Sequence, residues 1–166
     1  MYRFLAPNLQ RLVHNRGSGL ELEEIRLRLA RPFMIKNQNG FTFLNDVGQP
    51  CSAEKAYCVT LDDLQRTLQI ITRNSWYAFE DEIRGGYLTL PGGHRVGISG
   101  RAVLENGKLK TVKHISSLNF RIAKEIIGAA DELLPHITCP IEREVYSTLI
   151  VSPPGCGKTT LLRDLT

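Results

Sequence analysis

The sequence has no apolar run close to the roughly 18 residues that a transmembrane helix needs. Its uninterrupted apolar runs are short, as at residues 149–151. The N-terminus also lacks the apolar region of roughly 7–15 residues and the small-residue cleavage site that mark a secretory signal. We therefore expect a soluble, cytosolic protein.

Cysteine is scarce and poorly spaced for metal or disulfide chemistry. The four cysteines stand at positions 51, 58, 139 and 156. They form no C-x-x-C pair, and no histidine stands at zinc-binding spacing beside them. Because disulfides are rare in the cytosol, we expect free thiols rather than a zinc module or a disulfide scaffold.

No bias in composition points to a fibrous or disordered chain. Hydrophobic residues make up 42% and charged residues 23% of the 166 positions, the balance of an ordinary globular protein. The net charge of +4 suits phosphate-bearing partners, but spread over a whole domain it is weak support for nucleic-acid binding.

The first part of the chain predicts a mixed α+β domain. Apolar spacing near 3.6 over residues 4–14 predicts a helix, and the alternation of Ile25, Leu27 and Leu29 with charged residues predicts a strand. Asn39-Gly40 predicts a hairpin turn with positive φ at both positions. The strands predicted here are 23–29, 33–36 and 41–44.

Two helices and a run of strands follow. Thr60, with the Asp63 carboxylate three residues on, resembles a capping box and predicts a helix after it. A second helix is predicted over residues 77–84 and ends at the C-cap signal Gly85-Gly86. The remaining elements predicted are strands at 87–90, 95–103, 108–112, 119–122 and 148–151, and helices at 123–134 and from Thr159.

This order of elements predicts two domains. Residues 1–135 form an α+β domain with antiparallel strands and flanking helices, and residues 136–147 form a connector around Pro135 and Pro140. Residues 148–166 form the first strand, P-loop and helix of an α/β P-loop NTPase domain of the RecA-like type. That second domain is expected to be incomplete, since such a fold needs several more parallel strands.

The strongest chemical signal is the segment Ser-Pro-Pro-Gly-Cys-Gly-Lys-Thr-Thr at residues 152–160. Glycines let successive backbone N–H groups point inward as an anion nest, a lysine reaches the β and γ phosphates, and a hydroxyl ligates Mg²⁺. ATP and Mg²⁺ are therefore the expected cofactors, with Thr159 as the Mg²⁺ ligand. The expected cofactor-binding residues are Gly155, Cys156, Gly157, Lys158, Thr159 and Thr160.

The Walker A pattern is incomplete in one position, because Ser152 stands where glycine is usual. A chance Gly-Lys-Thr in a loop is the alternative, but an apolar segment before it and a helical pattern after it favour the P-loop. The acidic residue that holds Mg²⁺ and places the attacking water is missing. Asp164 lies in the P-loop helix and cannot replace it, so we expect no turnover near one per second.

A glycine-rich segment at residues 92–101 contains two arginines at an even spacing. On a strand this spacing places Arg95 and Arg101 on one face, and Arg121 follows later. These arginines suggest a face that reaches a phosphate. A solvated strand face, with glycines at bulges, is the alternative.

Together these segments resemble the stage III sporulation protein AA family from about residue 20 to the end. The segments that carry the resemblance are Glu24-Ile25-Arg26-Leu27-Arg28, Arg84-Gly85-Gly86-Tyr87, Gly93-His94-Arg95-Val96-Gly97, Ile-Ser-Ser-Leu-Asn-Phe-Arg-Ile-Ala at 115–123 and the P-loop region at 153–164. The resemblance implies a mother-cell ATPase, similar to the hexameric motors of type II secretion and type IV pili and cut off just after the Walker A motif.

The resemblance also implies partners and a location. The expected partners are identical subunits, in a hexamer, and membrane-embedded components of the channel between mother cell and forespore, with the protein peripheral to that membrane. In the wider group, arginines of the front domain contact the phosphates, which makes Arg95, Arg101 and Arg121 candidates in this chain.

Two other functions stay open at this point. The first is a nucleic-acid-binding P-loop NTPase, for which basic and aromatic residues should interleave. The nearest such run is 73–79, where Trp76 and Phe79 fit a core position better, so nucleic acid is not the expected partner. The second is a front domain that serves chiefly in oligomerisation and docking.

Overall fold

The computed structural model describes residues 2–16, 21–123, 128–139, 144–153 and 156–165. It divides the chain into two compact units, Met1–Ala123 and Lys124–Thr166. Ala123 closes the first unit, and its backbone N–H donates to His94 Nδ1 at 3.0 Å. No helix in the described ranges is long and apolar enough to cross a membrane.

The first unit is built on a seven-stranded antiparallel sheet with the order β4-β3-β2-β1-β7-β6-β5. The strands are β1 (Leu22–Arg28), β2 (Met34–Asn37), β3 (Gly40–Leu44), β4 (Pro50–Cys51), β5 (Tyr87–Leu90), β6 (His94–Glu105) and β7 (Lys108–Arg121).

Helices of the first unit pack against this sheet and share its core. Helix α2 contacts β7, and α3 contacts β5 and β7. Trp76 and Phe79 lie in a 3₁₀ turn before α3 and pack partly buried against the core, as their core interpretation predicted. The helices are α1 (Pro7–Asn15), α2 (Leu61–Thr72) and α3 (Glu80–Arg84) in the first unit, and α4 (Leu134–Ile137) and α5 (Lys158–Asp164) in the second.

Alternation along the central strands separates a buried face from a polar face. Ile25 and Leu27 on β1 and Leu118 and Phe120 on β7 are fully buried. Their neighbours in sequence, such as Arg121, point to the other side of the sheet. The predicted period of two is therefore confirmed, and it leaves one face of the sheet polar, as antiparallel sheets allow.

The capping box at the start of α2 is confirmed. The Thr60 hydroxyl accepts from the Asp63 N–H at 3.2 Å, and the Asp63 carboxylate accepts from the Thr60 N–H at 2.8 Å. Together these bonds satisfy two backbone donors at the helix entrance. The helix ends at its C-cap Arg73, whose φ of 49° lies in the left-handed region.

The hairpin between β2 and β3 forms, but its turn lies one residue earlier than predicted. Asn37 pairs with Gly40, so the turn residues are Gln38 and Asn39. Positive φ occurs at Gly40 (110°) and not at Asn39. The Asn37 side chain explains the shift, because its Oδ1 accepts from the Asn39 N–H at 2.8 Å and fixes an Asx turn.

The two strands predicted at 108–112 and 119–122 are one long strand, β7. The polar residues between them pair with β6 across a bulge instead of forming a loop. Ser117 pairs with Ser99 and Lys113 with Arg101, so β7 carries extra residues opposite Gly100. His114 sits in this bulge with a φ of 48°.

The second unit departs from prediction in two places. The helix predicted at 123–134 is absent over 128–133, where the chain makes turns, and Pro135 lies inside α4 near its start, a position that proline tolerates. Residues 124–127 lie outside the described residues. The strand predicted at 148–151 has no regular structure, since a parallel strand needs a neighbour to pair with and the described residues offer none.

Candidate functional site

The P-loop segment enters its helix through a left-handed glycine. Gly157 has φ 82° and ψ 6° and precedes α5, which begins at Lys158. A side chain would strain this conformation, so the glycine is required by the backbone. Pro154 and Gly155, the middle of the predicted loop, lie outside the described residues.

Lys158 folds back over the loop that precedes it. Its Nζ lies 2.6 Å from the Ser152 carbonyl oxygen, 2.8 Å from the Pro153 carbonyl oxygen and 3.1 Å from the Ser152 hydroxyl oxygen. An ammonium has three donors, and these three oxygens match that number. The predicted lysine is therefore held at the mouth of the loop.

Ser152 contributes more than its backbone to this arrangement. Its hydroxyl accepts from Lys158 and donates to the Pro153 carbonyl oxygen at 3.4 Å. The sequence pattern marked Ser152 only as a departure from glycine. Its contact with the lysine depends on how the loop folds back, which the spacing of the motif does not reveal.

The other predicted ligands in the described residues lie just before α5 or in its first turn. Cys156 and Thr159 are exposed and Thr160 is half-buried; the helix starts with the Leu161 N–H donating to Gly157 O at 3.0 Å. One ammonium, a positive-φ glycine and an exposed threonine hydroxyl form a donor set that suits a phosphate with Mg²⁺. No group of three His, Cys, Asp or Glu side chains in the described ranges could hold a metal by itself.

Asp164 has a structural contact of its own in the second unit. Its carboxylate accepts from the Gly128 N–H at 3.1 Å and the Ala130 N–H at 2.8 Å. Gly128 has a φ of 82°, so the turn presents its N–H groups to the end of α5. The Asp164 carboxylate therefore holds this turn through two backbone N–H groups.

In the first unit, two of the three predicted arginines are direct neighbours. Arg95 on β6 pairs with Arg121 on β7, and Arg121 pairs with Glu24 on β1. The three form a row across the polar face of the sheet. Two like charges directly opposite each other are unfavourable, so this arrangement favours an anion beside them.

Neighbouring groups set the electrostatics of the row. Burial acts to raise the pKa of Glu24, but an ion pair with Arg26 and the nearby Asn119 and Arg121 side chains outweigh it and hold that pKa below its usual value. The Arg95 guanidinium lies 5.5 Å from the centre of the Tyr87 ring, a cation–π contact. Glu24 therefore offsets Arg121 while Arg95 stacks on an aromatic ring.

Arg101 does not join this row. It pairs with Lys113 beyond the Gly100 bulge, six residues along β6 from Arg95, a distance of roughly 20 Å on a strand. The even spacing of Arg95 and Arg101 therefore does not bring their side chains together, and a register shift between Ser99 and Arg101 separates them. Sequence reasoning also missed Tyr87 and Glu24, because their proximity depends on strand order.

Comparison with known proteins agrees with the resemblance of the motifs. The family described as "Sporulation stage III, protein AA" matches residues 1–166. Stage III sporulation protein AA of Bacillus subtilis (strain 168) is 40% identical over 146 residues, which cover 88% of this chain and 43% of the relative. This chain thus spans less than half the length of that relative. No solved structure matches it. The chain belongs to the stage III sporulation protein AA family.

Proposed function

We propose that this chain is the nucleotide-binding part of a sporulation ATPase that takes ATP with Mg²⁺. The observation that carries the proposal is the position of Lys158, held over its own loop directly after a left-handed glycine at the start of α5. That combination is typical of a loop that surrounds phosphates with backbone N–H groups and one mobile cation.

The residues of the loop have distinct parts in this proposal. Lys158 exchanges its bonds to the Ser152 and Pro153 oxygens for bonds to the β and γ phosphates. Backbone N–H groups of Gly155, Cys156, Gly157 and Thr160 bind the phosphate chain, and the Thr159 hydroxyl supplies one ligand to Mg²⁺. Lys158 keeps the same number of hydrogen bonds in this exchange, because phosphate oxygens replace loop oxygens. Binding is favourable because the phosphate oxygens are charged and the loop oxygens are neutral.

We further propose that Arg95 and Arg121 bind phosphate groups, with Arg101 as a third candidate at a distance from them. The direct pairing of Arg95 with Arg121 supports this role. A guanidinium pair on neighbouring strands offers planar donors that match phosphate oxygens. Glu24 balances one of the two charges and so limits non-specific binding of anions.

Membership of the family supports the larger setting of the proposal. The chain acts within a homo-oligomer, a hexamer in the complete protein, beside membrane-embedded components of the channel between mother cell and forespore. It lies in the mother-cell cytoplasm, peripheral to the membrane. We also propose that residues 1–166 alone do not hydrolyse ATP at a useful rate, because the acidic residue that holds Mg²⁺ and places the attacking water is expected on a later strand.

The alternative is a nucleic-acid-binding P-loop NTPase, and one experiment separates the two. ATP turnover is measured on a chain extended to the length of the curated relative, over a range of protein concentrations, with and without single-stranded DNA. A rate per subunit that rises with concentration and ignores DNA supports the assembling ATPase. A concentration-independent rate that DNA stimulates overturns it in favour of the nucleic-acid function.

A further inference from the structure

The hairpin of β6 and β7 extends past the rest of the sheet. Residues 101–113, which we call the arm, pair only with one another within the described ranges, while β5 and β1 pair with the base of the hairpin. Val112 anchors the arm, since it is buried in the core. Arg84 of α3 adds a bond from its Nε to the Lys110 carbonyl oxygen at 3.4 Å.

Apolar residues continue along the arm toward its tip. On β6, Ala102 pairs with Val112, and Leu104 pairs with Leu109 after a register shift between Val103 and Leu104. Val112 is buried, but Leu104 near the tip is 64% exposed. The arm thus carries apolar side chains past the point where the core covers them.

The other feature of the arm is its positive charge. Within residues 101–113 four basic residues stand against one acidic residue, which gives a net charge of +3. Lys110 pairs with Glu105 at 2.6 Å. The described residues place no ion pair on the other three, which are Arg101, Lys108 and Lys113, all of them exposed.

We propose that the arm binds the surface of an anionic phospholipid bilayer, with Leu104 entering the interface and Lys108 and Lys113 lying among the phosphates. An exposed leucine bordered by cations matches the layering of a bilayer, where hydrocarbon lies just beneath anionic headgroups. The inference rests on the membrane-peripheral location proposed above, but not on nucleotide binding.

Lipid fits this surface better than nucleic acid does. The arm contains no Phe, Tyr or Trp, so it offers no aromatic ring on which bases could stack. Its turn, Asn106-Gly107, has positive φ at both positions (52° and 75°) and forms a narrow end rather than a groove. A narrow end can bring Leu104, one pair before the turn, against a lipid interface, whereas it offers no cleft to hold a strand.

The test measures binding of the whole chain to phosphatidylcholine vesicles with and without about a third phosphatidylglycerol, by flotation at low and high salt. The K108Q/K113Q variant is expected to bind anionic vesicles roughly 25-fold more weakly, at about fivefold per charge. The L104S variant is expected to lose roughly tenfold. Matched controls are R11Q/K55Q and V47S, which remove exposed side chains elsewhere in the first unit and should bind as the unchanged protein does.

Insertion has its own readout. In L104W, tryptophan emission should shift to the blue on anionic vesicles and be quenched by brominated lipid, while Trp76 of the unchanged protein gives the background. Equal binding by K108Q/K113Q and by the unchanged protein overturns the proposal. Salt-sensitive binding without quenching also overturns it, since the arm would then adsorb on the headgroups without Leu104 entering the interface.

The same variants separate this inference from the proposed nucleotide site. Binding of a fluorescent ATP analogue should be unchanged in K108Q/K113Q and L104S. Vesicle binding should be unchanged in K158A. Loss of vesicle binding with intact nucleotide binding therefore concerns the arm alone, and the reverse concerns the P-loop alone.

Discussion

Lys158 lies against Ser152, with its Nζ 2.6 Å from the serine carbonyl oxygen and 3.1 Å from the hydroxyl oxygen. The hydroxyl occupies one of the three donors that the proposed function assigns to phosphate. Ser152 is thus both the departure from the usual pattern and a competitor for the lysine.

Removing this hydroxyl should tighten nucleotide binding. In Ser152→Ala the lysine loses one partner, and at about 0.5–1 kcal/mol for a net hydrogen bond the affinity for a fluorescent ATP analogue should rise roughly two- to fivefold. Thr148→Ala is the matched control, because its hydroxyl bonds to the Tyr146 carbonyl oxygen instead. Unchanged or weaker binding by Ser152→Ala would show that the serine does not restrain Lys158.

Asp63 should be a major contributor to the stability of the first unit. It is 1% exposed, and its carboxylate accepts from the Asn8 side chain at 2.6 Å, the Tyr57 hydroxyl at 2.8 Å and the Thr60 N–H at 2.8 Å. Asp63→Asn should lower the free energy of unfolding by about 2–3 kcal/mol, since an amide cannot accept all three bonds. Chemical denaturation measures the change.

Asp62 gives the control for that variant, because it is the neighbouring aspartate on the exposed side of α2. Its ion pair with Arg66, at 2.7 Å, lies in water and is worth little. Asp62→Asn should change the free energy of unfolding by less than about 0.5 kcal/mol. Equal losses in the two variants would contradict the buried network.

The same network predicts how stability depends on pH. Burial raises the pKa of Asp63, but bonds from Thr60, Asn8 and Tyr57 outweigh it, so the folded pKa lies below the unfolded value of 3.8. Its contribution is present above that value and is lost as the pH falls through the folded pKa. The denaturant concentration at the midpoint of unfolding should therefore fall when the pH is lowered below about 4, and this fall should be smaller in Asp63→Asn. An equal drop would contradict this.

Tyr57 should make the stability of the first unit depend on pH in the alkaline range. Burial and the Asp63 carboxylate raise its pKa from 10.0 to about 12. A raised folded pKa gives stability that is present below pH 10 and lost as the pH rises to about 12. Unfolding measured from pH 9 to 12 should show this loss, and Tyr57→Phe should remove it. A loss of the same size in Tyr57→Phe would assign it to another group.

Gly100 should be required by the bulge between the sheet and the arm. A Cβ there would lie 2.7 Å from the Lys113 carbonyl oxygen and 2.9 Å from Val112 Cγ1, so backbone must shift. We expect Gly100→Ala to destabilise the first unit by about 1–3 kcal/mol in thermal or chemical unfolding. Gly97→Ala is the control, because its Cβ meets nothing nearer than 3.8 Å. Equal stability of the two variants would contradict the close approach.

The sequence predicted most of the first unit because its signals there are local. The alternation around Ile25 and Leu27 fixes which face of β1 is buried, and the Thr60–Asp63 capping box acts within four residues. Each of these features depends on backbone geometry that a short segment determines by itself.

Other features were missed because they depend on distant partners. The pairing of Arg95 with Arg121 and Glu24 follows from the order of three strands. The segment at 148–151 has the composition of a strand, but composition supplies no neighbour to pair with. The turn at 128–133 is held by Asp164, which no periodicity reveals.

The most direct test of the proposed function is equilibrium binding of a fluorescent ATP analogue, with Mg²⁺, to the unchanged chain and to Lys158→Ala. Lys55→Ala, which removes the same charge at an exposed site, is the control. We predict that Lys158→Ala weakens binding at least about a hundredfold, since it removes charge-assisted bonds to two phosphates, and that Lys55→Ala has no effect. Equal affinity in Lys158→Ala and the unchanged chain would contradict the assignment of residues 152–160 as a phosphate-binding loop.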